Sequence, residues 1–188
     1  EMLRSLVGSG DVYKRQILFL TLLAGCGTQN NELKTVDYID IKKFMGDWYV
    51  ISSIPTLLEK NIFNAIENYK LNPDGTIQTT FTYNAGSFNG KRKTFSPKGF
   101  IVDDGTNAIW GMQFIWPIKA DYRVIYLASD YSFTIIGRNK RDYVWLMSRK
   151  PIMTESNLSF ALDFIERAGY DRNNLIQIPQ SWPNVELD

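Results

Sequence analysis

The stretch Gly46-Asp47-Trp48-Tyr49-Val50-Ile51 is the part of the chain from which the fold can be argued. Glycine gives a permissive backbone where a turn enters a strand, and the aromatic and β-branched residues after it favour an extended conformation. The tryptophan supplies one large flat side chain for burial. The preceding segment, 38–45, is expected to form one short helical turn. By itself the stretch predicts the start of a strand with a buried tryptophan.

The composition favours a β-rich domain with a sizeable core. The chain has 188 residues, of which 44% are hydrophobic and 14% aromatic. This apolar content is too high for a disordered chain, and the length fits one domain with additional segments. The net charge is +1 and no long basic run occurs, so we expect no nucleic-acid partner.

The sequence contains no histidine and a single cysteine, Cys26. Histidine is the commonest general base and the commonest metal ligand, so serine–histidine and cysteine–histidine catalysis are unavailable. We therefore expect a protein that is not an enzyme and that needs no metal and no cofactor. One cysteine also precludes an intramolecular disulfide.

The N-terminal part has the features of a bacterial secretory signal. Lys14 and Arg15 precede an apolar run, 17–24, which is shorter than a membrane-spanning helix. The tetrapeptide 23–26, Leu-Ala-Gly-Cys, resembles the lipobox in which the cysteine becomes lipidated. We therefore expect three segments: a signal peptide at 1–25, of which 1–16 reads as translated cloning sequence, a lipidated tether at 26–35, and a folded domain at 36–182.

The folded part reads as eight short strands separated by turns. Asn72-Pro73-Asp74-Gly75 is a turn, because proline presets φ and glycine permits positive φ. Pro97 and Gly99 interrupt one strand, where we expect a bend or bulge. Eight strands at this spacing are typical of an antiparallel sandwich or barrel. They are predicted at 48–54, 63–71, 76–83, 91–102, 108–116, 122–129, 132–138 and 143–149.

One helix is expected after the strands. Thr154 is a suitable N-cap and Gly169 a suitable C-terminal stop. Between them one apolar stripe at helical spacing predicts a helix that packs against the outside of the sheet. The stripe consists of Leu158, Ala161, Leu162, Ile165 and Ala168. Residues 174–178 are expected to add a ninth, edge strand.

Three short motifs, taken in order, resemble the signatures of the lipocalins. They are Gly46-x-Trp48, Ser129-Asp130-Tyr131 and Arg149. The resemblance implies an all-β fold, an eight-stranded antiparallel up-and-down barrel with one C-terminal α-helix packed outside. It also implies a structural role for Gly46, Trp48, Asp130, Tyr131 and Arg149, with the arginine stacked on the tryptophan to close one end of the barrel.

The resemblance further implies a binding function. The segments 122–127 and 141–149 look like those of bacterial lipocalins, which are outer-membrane lipoproteins. We therefore expect a periplasm-facing protein, anchored through Cys26, that binds a fatty acid or lysophospholipid in envelope maintenance or stress. Strand alternation and the resemblance together predict the ligand-binding residues Val50, Ser52, Trp110, Met112, Phe114, Tyr122, Val124, Tyr126, Trp145 and Met147.

Two points stay open at this stage. A barrel packed solid would instead make the protein a structural or partner-binding lipoprotein. A homodimer is also compatible with the sequence.

Overall fold

The computed structural model describes residues 32–55 and 61–183. The expected signal peptide and Cys26 lie outside these residues. Helix α1 spans Ile41–Phe44, helix α2 spans Glu155–Arg167, and a single 3₁₀ turn spans Arg172–Asn174. In the described part of the chain, neither helix is long and apolar enough to cross a membrane. The strands are β1 (Gly46–Ser53), β2 (Ile62–Leu71), β3 (Ile77–Ala85), β4 (Arg92–Phe95), β5 (Lys98–Ile101), β6 (Ile109–Ile115), β7 (Ile118–Leu127), β8 (Phe133–Gly137), β9 (Val144–Ser148) and β10 (Ile176–Gln177).

The strands close into a barrel. From β1 to β9 the strands pair antiparallel in chain order, apart from the break between β4 and β5, and β9 returns to pair with β1. Strands β4 and β5 both pair with β3 and form one barrel strand, broken at Ser96-Pro97 as the proline predicts. Strand β10 adds to β1 through Ser52 and Ser53. The predicted eight-stranded up-and-down barrel, with one C-terminal helix outside and a short ninth strand, is confirmed.

Side-chain caps define both helices. The Asp40 carboxylate accepts hydrogen bonds from the backbone N–H groups of Lys42 and Lys43 at the start of α1. The Thr154 hydroxyl accepts from the Asn157 N–H at the start of α2. Gly169, with φ of +92°, follows the last turn of α2 in a conformation that favours glycine. The helix boundaries expected from the sequence are therefore present.

Buried side chains form two separate cores. The interior core takes residues from the barrel strands all round, including Trp48, Tyr69, Phe81, Trp110 and Trp145. The exterior core lies between one side of the barrel and α2, where Val144 and Leu146 of β9 meet Ala161 and Ile165. Successive residues of β9 therefore alternate between the two cores, as the strand geometry requires.

The β-bulges in β1 and β7 change which of the predicted side chains face inward. In β1 the pairing with β9 shifts between Val50 and Ser52, so Ser52 lies opposite Leu146 of the exterior core. In β7 the shift between Val124 and Tyr126 places Tyr126 opposite Ile135, also of the exterior core. The prediction that Ser52 and Tyr126 face the interior is therefore wrong, because each bulge inserts one residue and reverses the alternation beyond it.

The β6–β7 connection is tighter than the sequence suggested. Pro117 reads as part of a loop extending to residue 121, yet Ile115 already pairs with Ile118 across the turn. Strand β7 thus begins at Ile118, and the expected start at Tyr122 is wrong. Phe114, expected to line the interior, is 54% exposed and lies beyond the rim of the barrel.

Candidate functional site

One end of the barrel is closed by Arg149. Its guanidinium carbon lies 3.7 Å from the centroid of the Trp48 ring. Its nitrogens donate hydrogen bonds to the backbone carbonyl oxygens of Asp47 (2.7 Å), Lys43 (2.9 Å), Phe44 (3.1 Å) and Met45 (2.8 Å). A planar guanidinium can stack and donate in several directions at once, which an ammonium cannot. Arg149 thereby joins β9, β1 and α1 at the closed end.

The other signature residues shape turns at this end. Gly46 has φ of +95°, and a Cβ there would lie 3.4 Å from the Arg149 guanidinium. The Asp130 carboxylate accepts from the N–H and hydroxyl of Ser132, and these hydrogen bonds lower the pKa of Asp130. The Tyr131 hydroxyl accepts from the Asp40 N–H at 3.0 Å. All five signature residues therefore lie at the closed end.

A cluster of aromatic rings forms the floor of the barrel above this closure. Phe44 lies 5.0 Å from Trp48, 5.6 Å from Tyr69 and 5.5 Å from Trp110, measured between ring centroids. Trp110 stacks on Tyr122 at 5.1 Å. The Tyr69 and Tyr122 hydroxyls are hydrogen-bonded to each other, and burial raises the pKa of both phenols well above the usual value. The lower half of the interior is thus filled.

A second aromatic group lies towards the open end. Phe81 of β3 stacks on Trp145 of β9 with 5.7 Å between centroids. These strands are not neighbours, because β1 and β2 separate them in the sheet, so the stack crosses the lumen. Tyr83 and Tyr143 extend the group on either side.

The sequence of the barrel domain matches a known family model. A lipocalin-like domain model matches residues 39–180, which includes every barrel strand and both helices. The chain belongs to the lipocalin family. Lipocalins in general bind small hydrophobic ligands and are not enzymes.

Relatives of this lipocalin include plant and bacterial proteins. Temperature-induced lipocalin-1 of Arabidopsis thaliana is 32% identical over 163 residues, which cover 82% of this chain and 86% of the plant protein. Outer membrane lipoprotein Blc of Vibrio cholerae is 25% identical over 165 residues, covering 87% and 96% of the two chains. Among solved structures, insecticyanin from the tobacco hornworm Manduca sexta superposes with a TM-score of 0.62. The two sequences are 18% identical, and the superposition covers 80% of this lipocalin and 85% of insecticyanin. This similarity supports the fold alone.

Seven of the ten predicted ligand-binding residues lie in the interior core. They divide between the floor and the walls above it, and they are Val50, Trp110, Met112, Tyr122, Val124, Trp145 and Met147. Tyr126 instead packs outside against Phe160 and Phe164 of α2, with 5.0 Å and 5.2 Å between centroids. Ser52 borders a surface hollow of about 210 Å³ beside Leu158 and Leu162.

The sequence prediction missed further interior residues of this lipocalin, among them Ser53, Glu67, Phe81 and Tyr83. Ser53 lies opposite Trp145, is fully buried, and its hydroxyl makes no hydrogen bond within the described residues. Glu67 is 1% exposed and lies opposite Trp48. Phe81 and Tyr83 belong to the open-end aromatic group. The alternation Ala65/Glu67/Tyr69 indicates that Glu67 shares a face with Tyr69, whereas Ser53 could be found only by knowing the bulge.

Proposed function

We propose that this lipocalin binds a fatty acid or a lysophospholipid in its barrel interior and acts in maintenance or stress of the bacterial envelope. The observation that carries the proposal is the apolar and aromatic interior of a closed barrel, which contains a few buried polar groups. A ligand with one long apolar chain and one compact polar head suits such a lining.

The positions of the polar groups favour one orientation of the ligand. Glu67 lies deep, beside Trp48, and two acidic groups in a buried site disfavour each other's charge. A fatty-acid carboxylate or a phosphate is therefore better placed towards the open end. There Ser53 offers a buried hydroxyl donor beside Trp145. The acyl chain would then run down past Val50 and Met147 towards the floor.

The proposed location rests on the N-terminal motif and on relatives. Cys26 follows a short apolar run. Two bacterial relatives of this lipocalin, from Vibrio cholerae and Escherichia coli, are named outer membrane lipoproteins. Acylation at Cys26 would hold the barrel at the membrane that supplies its ligand. More than one acyl chain is needed for stable anchoring.

Native mass spectrometry of the delipidated full chain tests the proposal. Titration with palmitate and, separately, with lysophosphatidylethanolamine should give a one-to-one adduct with at least one of them. Phe81→Ala should increase the adduct fraction at the same ligand concentration, because it removes one side of the stack that crosses the lumen. Absence of any adduct from both proteins would contradict the proposal.

The Phe81–Trp145 stack favours a second candidate function. Contact between Phe81 and Trp145 across the lumen, above a floor that is already filled, is also what a solid barrel would show. The protein would then be a structural or partner-binding lipoprotein. If neither the parent nor Phe81→Ala takes up a lipid, this second candidate is favoured.

A further inference from the structure

The tip of the β6–β7 hairpin carries the most exposed cluster of large apolar side chains in the described residues. We call residues 114–118 the hairpin tip. The exposed fractions there are 54% for Phe114, 72% for Ile115, 80% for Trp116 and 69% for Ile118. Single exposed apolar residues are ordinary, but four within five positions form a patch that marks a contact surface.

The hairpin projects beyond the body of the barrel. The last pair between β5 and β6 joins Lys98 to Gln113, and the first pair between β7 and β8 joins Arg123 to Gly137. Between these points, residues 114–122 pair only within the hairpin, where Ile115 lies opposite Ile118. A two-stranded hairpin is marginal in water without further packing. The exposed apolar side chains at the end of such a hairpin can insert among lipid headgroups.

The open end that carries the tip is positively charged. Its described segments 86–95, 115–121 and 138–143 contain seven cations and two carboxylates: Lys91, Arg92, Lys93, Lys119, Arg138, Lys140 and Arg141 against Asp121 and Asp142. Both carboxylates are already paired, Asp121 with Arg123 and Asp142 with Arg138. The turns at the closed end, in contrast, carry more carboxylates than cations, with aspartates at 37, 40, 47, 74, 103, 104 and 130.

We propose that the hairpin tip inserts into the headgroup region of an anionic lipid bilayer, so that the open end of the barrel faces the membrane. Tryptophan and isoleucine enter the interface, and the surrounding lysines and arginines pair with anionic headgroups. A second copy docked mouth to mouth would bring two positive ends together, which disfavours that occupant. The contact does not depend on the acyl anchor or on whether the barrel holds a ligand.

The test uses Trp116 as its own reporter. The full chain is made with Cys26→Ser, which removes the acylation site, and is mixed with vesicles of phosphatidylcholine containing brominated lipid and about one third phosphatidylglycerol. Trp48, Trp110 and Trp145 are at most 5% exposed, and Trp182 is half-buried against Tyr49. The part of the blue shift and quenching that is lost in Trp116→Phe therefore reports the insertion of Trp116. Trp116→Phe should reduce the quenching at least about fivefold. Vesicles without phosphatidylglycerol should quench far less.

Paired variants separate insertion from general stickiness. Ile115→Ser with Ile118→Ser should lower Trp116 quenching about tenfold, because the tip loses two of its four exposed apolar side chains. Val102→Ser with Ile152→Ser, at positions 67% and 49% exposed elsewhere on the barrel, should leave it unchanged. Both pairs should keep the parent's lipid adduct by mass spectrometry, so failure here is distinct from failure of the proposed function. Three results would overturn the proposal. They are equal quenching in the two paired variants, equal quenching on vesicles with and without phosphatidylglycerol, and a parent protein that is a dimer and becomes monomeric only in the Ile115→Ser, Ile118→Ser variant.

Discussion

At the scale of single residues, Arg149 links parts of the chain that are about 100 residues apart in sequence. It stacks on Trp48 and donates hydrogen bonds to the carbonyl oxygens of four residues within the segment 43–47. Without it, those carbonyls and one face of the indole would turn to solvent at the closed end. The stacking expected from the lipocalin signature is present in the structure.

We predict that Arg149→Ala lowers the free energy of unfolding by about 2–4 kcal/mol, because the stack and several charge-assisted hydrogen bonds are lost together. Arg149→Lys should retain less than half of the free energy of unfolding that Arg149→Ala loses, since an ammonium cannot both stack on Trp48 and reach all four carbonyl oxygens. Urea denaturation followed by circular dichroism measures both values. A change below about 0.5 kcal/mol for Arg149→Ala would show that the closure is not stabilising.

The buried phenols Tyr69 and Tyr122 predict a loss of stability in alkali. Burial raises the pKa of both in the folded state, above a value of about 10 in the unfolded chain. Their contribution is therefore fully present below about pH 10 and is lost as the pH rises through the folded-state pKa. The free energy of unfolding should fall above pH 10, and Tyr122→Phe should make that fall shallower. Tyr38→Phe, at a position 62% exposed, is the control and should leave the slope as in the parent.

At the scale of elements, the bulges in β1 and β7 decide which side chains of these strands face the barrel interior. Strand β1 changes face between Val50 and Ser52, and β7 between Val124 and Tyr126. The strands, their order and the caps of α2 follow from local patterns, which a sequence displays directly. A bulge instead depends on how the strand must bend to close the barrel, and closure involves partners far away in the chain. For this reason alternation placed Val50 and Val124 correctly and Ser52 and Tyr126 wrongly.

The outward position of Tyr126 gives a prediction for helix packing. Its ring contacts Phe133 and the α2 residues Phe160 and Phe164. Tyr126→Ala should lower the free energy of unfolding by about 2 kcal/mol, because it removes an aromatic contact between barrel and helix. Lipid affinity should stay within about twofold of the parent, since the ring does not reach the interior. A tenfold loss of lipid affinity in a folded Tyr126→Ala variant would contradict this prediction and indicate that Tyr126 contacts the ligand.

At the scale of the whole molecule, the barrel has two different ends. The closed end is fixed by Arg149, the aromatic floor and turns rich in aspartate. The open end carries the hairpin tip, a surplus of cations and the Phe81–Trp145 stack. The signature motifs predicted the closed end well, because each is a short sequence with one structural role. They contain no residue of the open end, so neither the tip nor the stack could be read from them.

The most direct test of lipid binding inside the barrel compares Ser53→Phe with Ser52→Phe. The two residues are adjacent in β1, but Ser53 faces Trp145 inside, whereas Ser52 borders the hollow of about 210 Å³ beneath α2. The dissociation constant for a fluorescent long-chain fatty acid should rise at least about tenfold in Ser53→Phe, since the ring occupies ligand space, and stay near the parent value in Ser52→Phe. Circular dichroism confirms that both are folded. Equal affinities in the two variants, or a loss only in Ser52→Phe, would contradict a ligand site in the barrel interior.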